Sequence, residues 1–539
     1  MRKSICLLLV LLIPVVLSGR IAGQVRTSDR VAKATGRRSQ AAVAAAESRT
    51  ARYLDSITKS PPELLAFFLR MPKGGDLHNH LSGSIYAESY IKWSAEKGLC
   101  INHKSFTVSA PPCDPNADQV PIANSLTNAP LYRQIIDAWS MRYWQYSGKN
   151  GHDQFFDAFG KFAVATYDQT GRMVAEAAAR AARGQLLYLE LMLTPDAGLA
   201  GQLGQRVGWD GSAEGTLSKL QAANIAGVVR AAVKNLETAE QQKNEILRCG
   251  QNDADPGCGV TIRYLAQVAR GSALSTVFAQ MVTGFMLASD PASRVVGVNL
   301  VQPEDGFAAM ENFSTQMNML RFLKQQFPKA HLALHAGEIA PGMVPPDGLS
   351  FHVRDSVNIA GAERIGHGAD IMHEQDPETL LKEMARRKIM VEVCLSSSYL
   401  ILGVRGANHP LAIYMKYGVP VALGTDDEGV SRSEISTEYL RAAQDQGLNY
   451  RQLKSMARNS LTYSFIGGNS LWLSADLPVR ECSRDKPGSP SPSAGCSSFL
   501  ANSEKARLQW KLEEQFKKFE AGFERQQAFR VQTLVCGFV

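Results

Sequence analysis

Four short fragments of this 539-residue sequence carry side chains suited to holding a metal ion and moving protons beside it. They are His78-Asn-His80, His335-Ala-Gly-Glu338, the glycine-flanked His367 of Ile365-Gly-His-Gly, and Asp426-Asp427. A lone histidine in an apolar run is most often an ordinary core or surface residue. Here the order H-x-H, H-x-x-E, G-H-G, D-D, with each fragment ending a short apolar run, points to one shared site. Residues i and i+2 of a strand face the same side, so His78 and His80 can hold one ion together. His335 offers a third nitrogen and Asp426 an oxygen. Neutral imidazoles and a carboxylate suit Zn2+ with a position left for water, whose pKa such an ion lowers to about 7. Glu338 can exchange a proton with a substrate nitrogen, and His367 can hold the attacking water and take its proton. Asp427 either contacts the substrate or the incoming oxygen, or fixes the tautomer of a neighbouring histidine. Val295–Val301 contains no lysine to bridge a second ion, so one ion per chain is expected. A different zinc-site pattern, H-x-E with P-C-x-x-C, is absent.

Such fragments work only if the chain brings them together. Eight apolar runs have strand character: Asp76–Leu81, Leu186–Leu193, Thr261–Val268, Val295–Val301, His331–His335, Arg364–His367, Met390–Leu395 and Val419–Thr425. Helical patterns lie between them, among them Gly171–Ala182, Ala273–Leu287, Thr315–Gln326, Glu378–Arg387 and Leu411–Tyr417. Alternating strands and helices imply a parallel sheet, and eight units imply an α/β fold of (β/α)8 TIM-barrel type. In a TIM barrel the active site lies at the C-terminal ends of the strands, where these residues fall. Ser60-Pro61-Pro62-Glu63 reads as a capping box opening the first helix.

The expected organisation is a signal peptide (1–23), an arm or linker (24–59), and a barrel domain (60–535). The barrel domain carries an insertion at 84–150 and a C-terminal extension at 470–535. Met1-Arg2-Lys3, the apolar run Ile5 to Leu17 and the small residues that follow predict cleavage and export to a periplasm or the medium. The run is short for a bilayer span of about 20 residues, and Pro14 interrupts it. A mature form without a membrane anchor follows. Cys100/Cys113, Cys249/Cys258 and Cys482/Cys496 each bracket a short polar loop and predict three local disulfides. Cys394 reads as an inert core thiol, and Cys536 as free. The net charge of +7 is spread along the chain, and no basic block interleaved with aromatics implies nucleic acid. Leu508, Leu512, Phe516, Phe519 and Phe523 form a stripe that predicts a C-terminal helix docked on the barrel.

The ordered motifs resemble the adenosine deaminase family over roughly residues 60–466. Met71-Pro-Lys-Gly-Gly-Asp-Leu-His78, Tyr188-Leu-Glu-Leu, Ser396-Ser-Ser-Tyr-Leu400 and Asn459-Ser-Leu match its secondary features. The signal peptide, the insertion and the Tyr132–Arg142 stretch are most similar to the secreted growth-factor branch. The resemblance implies hydrolysis of adenosine, with 2′-deoxyadenosine, to inosine and ammonia. It implies one Zn2+ on His78, His80, His335 and Asp426, proton donation to purine N1 by Glu338, water activation by His367, and contact with N7 or the incoming hydroxide by Asp427. A homodimer paired through residues 24–59 is a further implication. Two positions depart from the family. Ser82, followed by Gly83, stands where many members place a ribose-binding Asp, and Gln302 replaces a glycine that faces the purine. These departures leave another aminopurine (a modified nucleoside, adenine or a nucleotide) as the alternative substrate. A non-enzymatic signalling protein is the alternative of a different class, and the intact acid, base and ligand set argues against it.

Overall fold

The computed structural model describes residues 45–535, with side chains to residue 523. The expected signal peptide, most of the arm, Cys6 and Cys536 lie outside the described residues. Eight strands follow one another in a single parallel sheet: β1 Gly74–His80, β2 Leu186–Leu193, β3 Thr261–Ala269, β4 Val295–Val301, β5 His331–Ala336, β6 Arg364–His367, β7 Met390–Val393 and β8 Val421–Leu423. Their spatial order is their chain order. The ring closes just beyond β8, where Asp426 N–H donates to the His78 carbonyl and His80 N–H to the Asp426 carbonyl, both at 2.8 Å. Closure itself therefore sets Asp426 between the two histidines of β1. The fold is a (β/α)8 barrel.

Every residue of β2 is buried, as continuous apolar strands covered on both faces should be. At the N-terminal end of the barrel, Lys73 is buried and donates to the carbonyls of Phe68, Met71 and Gly184. The helices Thr170–Arg183, Leu274–Ala288, Phe313–Gln326, Pro377–Arg387 and Leu411–Tyr417 lie where the periodicity predicts them.

Three expectations need correction. Leu81 and Leu395 are not strand ends but open the helices Leu81–Ser84 and Leu395–Leu402, because the apolar run continues across each boundary. Val419 and Thr425 lie outside the pairing of β8. Ser60 precedes the helix Pro61–Phe68, yet no capping box forms. Its N–H is already donated to the Ile57 carbonyl at the end of helical residues 45–57, which leaves none for the Glu63 carboxylate that a capping box would use.

Those helical residues dock within the chain. Tyr53 packs on Phe523 with ring centroids 4.9 Å apart, and Glu47 pairs with Arg451 and Lys454. The C-terminal helix Glu504–Val535 buries Leu508, Leu512, Phe516 and Phe523 against the barrel. After β1 the chain builds a small three-stranded sheet tied by Cys100–Cys113, with Trp139 N–H donating to the Phe106 carbonyl. Met141 N–H then reaches the Val430 carbonyl, which fastens this segment beside the short helix Glu428–Ser431 that follows Asp427. Cys249–Cys258 and Cys482–Cys496 are also bonded, and Cys394 is a buried thiol. No helix among the described residues is long and apolar enough to cross a membrane.

Candidate active site

The C-terminal ends of β1, β5, β6 and β8 deliver the sequence-marked residues to one place. One donor atom each from His78, His80, His335 and Asp426 lies within 4.8 Å of every other. His335 Nε2 is 3.1 Å from both His78 Nε2 and His80 Nε2. Asp426 Oδ1 is 3.4 Å from His78 Nε2 and 3.2 Å from His80 Nε2. The far nitrogens determine which near atoms are free. His78 Nδ1 lies 2.7 Å from Glu392 Oε2, and His335 Nδ1 lies 2.8 Å from Asn299 Oδ1. Each Nδ1 must carry the proton for these contacts, leaving the Nε2 lone pairs aimed at a common centre. Imidazole lone pairs 3.1 Å apart repel each other unless a cation lies between them, so this donor set fits a metal ion.

Protons compete with an ion for these nitrogens. Burial opposes charge on His78, but its bonds to Asp426 and Glu392 outweigh that and raise it to about 10. His335 is driven well below the ordinary histidine range, first by burial and then by the charges of His78 and His80. One proton can therefore serve one imidazole at the expense of its neighbour.

Glu338, His367 and Asp427 surround the cluster, all buried. His367 Nε2 is 3.5 Å from Glu338 Oε1, and neither ring nitrogen of His367 has a hydrogen-bond partner. Burial, then the charge of His78, lowers His367 to about 3, so it is a neutral imidazole with a free acceptor. Burial, then the Asp426 and Glu304 charges, pushes Glu338 well above the usual carboxylate range, so it carries a transferable proton. Asp427 is raised in the same way by burial and by Asp426, and its Oδ1 is unpartnered. His367 (φ +66°), Asp426 (φ +60°) and Gln302 (φ +83°) all adopt left-handed backbone, a strain of about 1–3 kcal/mol each that tends to gather at functional sites.

Two glycines make the packing possible. A Cβ on Gly366 would stand 2.6 Å from His78 Cε1. A Cβ on Gly83 would stand 1.5 Å from Asp427 Oδ1. Gly83→Ala is therefore expected to displace the Asp427 carboxylate and lower kcat by about 100-fold, since small misplacements near the chemistry cost that much. Metal content should stay unchanged, and kinetics with metal analysis of the same sample checks both. Ser82 is half-buried at the mouth, and its carbonyl accepts from Tyr90 at 2.7 Å. Gln302 is exposed, and its side-chain oxygen accepts from Gly271 N–H at 3.0 Å, so that oxygen is tied to the loop after β3.

Several residues that the motif reading passed over support these groups. Arg364 lies 2.5 Å from Glu190 and 2.6 Å from Glu392, which in turn holds His78. The Glu304 carboxylate accepts from Gly337 N–H and Glu338 N–H at 3.1 and 2.7 Å, fixing the turn that carries Glu338. Arg270 lies 3.5 Å from Glu304 and donates to the His335 carbonyl. Their signal was present in the sequence: Glu190 and Glu392 are single charges inside otherwise apolar strands, where an unpaired charge is prohibitive.

Residues 134–470 match the family model described as adenosine deaminase. The chain belongs to the adenosine deaminase family. The adenosine deaminase of Salmonella paratyphi C is 23% identical over 392 residues, covering 72% of this chain and 93% of that protein. That of Klebsiella pneumoniae is 36% identical over 138 residues, 25% of this chain and 38% of that protein. Among solved structures, the N6-methyl-AMP deaminase of Arabidopsis thaliana superposes with a TM-score of 0.48 at 20% identity, over 75% of this chain and 94% of that one. The adenine deaminase of Arthrobacter aurescens gives a TM-score of 0.47 at 17% identity, over 74% and 94%. As a member of this family with a buried His3Asp cluster, the chain is a metal-dependent deaminase.

Proposed function

We propose that this chain is an exported, zinc-dependent hydrolase that deaminates adenosine, and 2′-deoxyadenosine, to inosine and ammonia. The observation that carries the reading is the convergence of three imidazole Nε2 atoms and one carboxylate oxygen beside the buried Glu338 and His367, in a member of the adenosine deaminase family. His78, His80, His335 and Asp426 would hold the ion, which supplies Lewis acidity that makes a water nucleophilic at neutral pH. Glu338 gives its proton to purine N1, drawing electrons from C6. His367 holds the water with its free nitrogen and accepts the proton as the C6–O bond forms. Asp427 orients the purine through N7 or steers the incoming oxygen. His367 then passes that proton to the departing nitrogen as the C6–N bond breaks, releasing ammonia, and the hydroxyl proton left on C6 returns to Glu338 as the carbonyl forms. Three disulfides support an oxidising compartment and hence export.

The test is product analysis with the mature protein. Inosine and ammonia formed in equal amounts from adenosine are expected. No inosine, with one ion bound per chain, would overturn the substrate and favour another aminopurine, the reading supported by the unusual Ser82 and Gln302.

A further inference from the structure

The segment that grips Glu338 is itself held from outside the site. Residues 303–306 form a tight turn after β4, closed by Gly306 N–H donating to the Pro303 carbonyl at 3.3 Å. Glu304 and Asp305 are its two central residues, so the turn geometry fixes their backbone dihedrals together. The buried Glu304 carboxylate takes the Gly337 and Glu338 N–H groups. The Asp305 carboxylate leaves the same turn and lies 3.2 Å from His152 Nε2.

His152 stands at the start of the helix Gly151–Phe162, which follows the insertion, and this helix start is firmly seated. Gly151 presses on the Leu400 carbonyl, where an added Cβ would stand 1.8 Å from the oxygen. The Gln154 amide donates to the Asp137 and Ser140 carbonyls at 3.1 and 3.2 Å, and the His152 ring packs on Phe156 with centroids 4.8 Å apart. Leu400 belongs to the helix after β7, and β7 lies three strands from β4 in the ring. Adjacent residues 151 and 152 thus tie together segments from two sides of the mouth.

A neutral histidine makes this link only in part. His152 Nδ1 lies 3.1 Å from Asp153 Oδ1 while Nε2 faces Asp305. Ionised carboxylates only accept, and a neutral imidazole carries one N–H, so the two contacts together require the imidazolium. The bond to Asp305 first, and that to Asp153 after it, raise His152 above the ordinary histidine range against the opposing effect of burial. Those two carboxylates are the charged groups that face it. Lys149 acts on Asp153, and the helix Leu395–Leu402 packed against Gly151 carries no charge. The His152 and Asp305 side chains are 21% and 20% exposed, so solvent screens the pair only partly.

We propose that His152 is a positioning residue for the proton donor: as an imidazolium shared by Asp305 and Asp153, it fixes the turn whose Glu304 holds Glu338 in place. Its effect on turnover rests on the deaminase reading above, whereas its effect on the turn can be read without substrate. Hydrogen exchange of the metal-loaded full chain is the first test. His152→Leu should speed exchange in peptides spanning residues 337–338 by about 10-fold, and His152→Arg, which keeps a charged donor, should exchange at the native rate. Kinetics with adenosine is the second. Arg270 and Gln302 still hold the segment in His152→Leu, so kcat should fall by about 10-fold with KM little changed, less than a full misplacement costs. A histidine with a raised pKa keeps its proton below that value and loses it above, so the native-to-Leu ratio in kcat should shrink as pH rises. The native-to-Arg ratio should instead fall below its low-pH value. Unchanged exchange in His152→Leu, a native-to-Leu ratio constant with pH, or His152→Arg behaving like His152→Leu would overturn the proposal. No conversion of adenosine by the native protein would overturn the deaminase reading instead, and the exchange comparison would still decide what His152 does to the turn.

Discussion

Glu338→Gln is expected to lower kcat by about 100- to 10,000-fold, the usual worth of a positioned general acid, while leaving one ion per chain. Gln is nearly isosteric with Glu and has no acidic proton. Burial and the facing Asp426 and Glu304 carboxylates raise the Glu338 carboxyl well above the usual carboxylate range, as the proposed role of proton donor requires. The bonds that place it survive the change, since Glu304 grips the backbone N–H groups of residues 337 and 338 rather than the side chain. The four residues whose donor atoms converge are also untouched. Metal analysis alongside kinetics separates the outcomes. Unchanged turnover would remove Glu338 from the chemistry, and loss of the ion would mean that it acts as a ligand.

Arg364→Met should damage the enzyme from the other end of the barrel. Arg364 is 1% exposed and sits between Glu190 at 2.5 Å and Glu392 at 2.6 Å, with Nη1 donating to the Tyr463 carbonyl and the guanidinium 3.8 Å from the centre of the Phe465 ring. Without this cation two buried carboxylates lose their partner, a change that costs about 3–5 kcal/mol where one member of a buried pair is removed. Glu392 will then hold a proton more readily, and its bond to His78 Nδ1 weakens. Losing such support to a metal-binding histidine lowers metal affinity by about 10- to 100-fold. Thermal unfolding and metal titration measure the two effects. Adding Glu190→Gln should restore part of the stability by removing one unpaired charge. A melting temperature within a degree or two of the native value would show that the ion pair is not needed.

The two variants fall on opposite sides of what the sequence made legible. H-x-H, H-A-G-E, G-H-G and D-D were readable because each stands where an apolar strand stops, and a parallel barrel brings all strand ends to one mouth. Closure did the rest, as Asp426 bridges directly to His78 and His80. Strand ends were less legible: Leu81 and Leu395 continue an apolar run but begin helices, and apolarity alone does not distinguish the two. The box at Ser60 failed for a local reason, since the preceding helical turn had already used its N–H. Gln302 stands out in the sequence as a replacement for glycine, but the bond from Gly271 N–H to its side-chain oxygen joins two loops, and no local pattern encodes it. Glu392, Arg364, Glu304 and Asn299 join segments tens to hundreds of residues apart. Their partners became evident only once the barrel had placed the strands side by side.

The most direct test is the loss of adenosine absorbance as inosine forms, followed on one preparation before chelation, after chelation and after zinc is restored. Activity should disappear with the ion and return with one zinc per chain. Conversion that persists in metal-free protein would contradict the central claim that His78, His80, His335 and Asp426 hold the ion the reaction depends on.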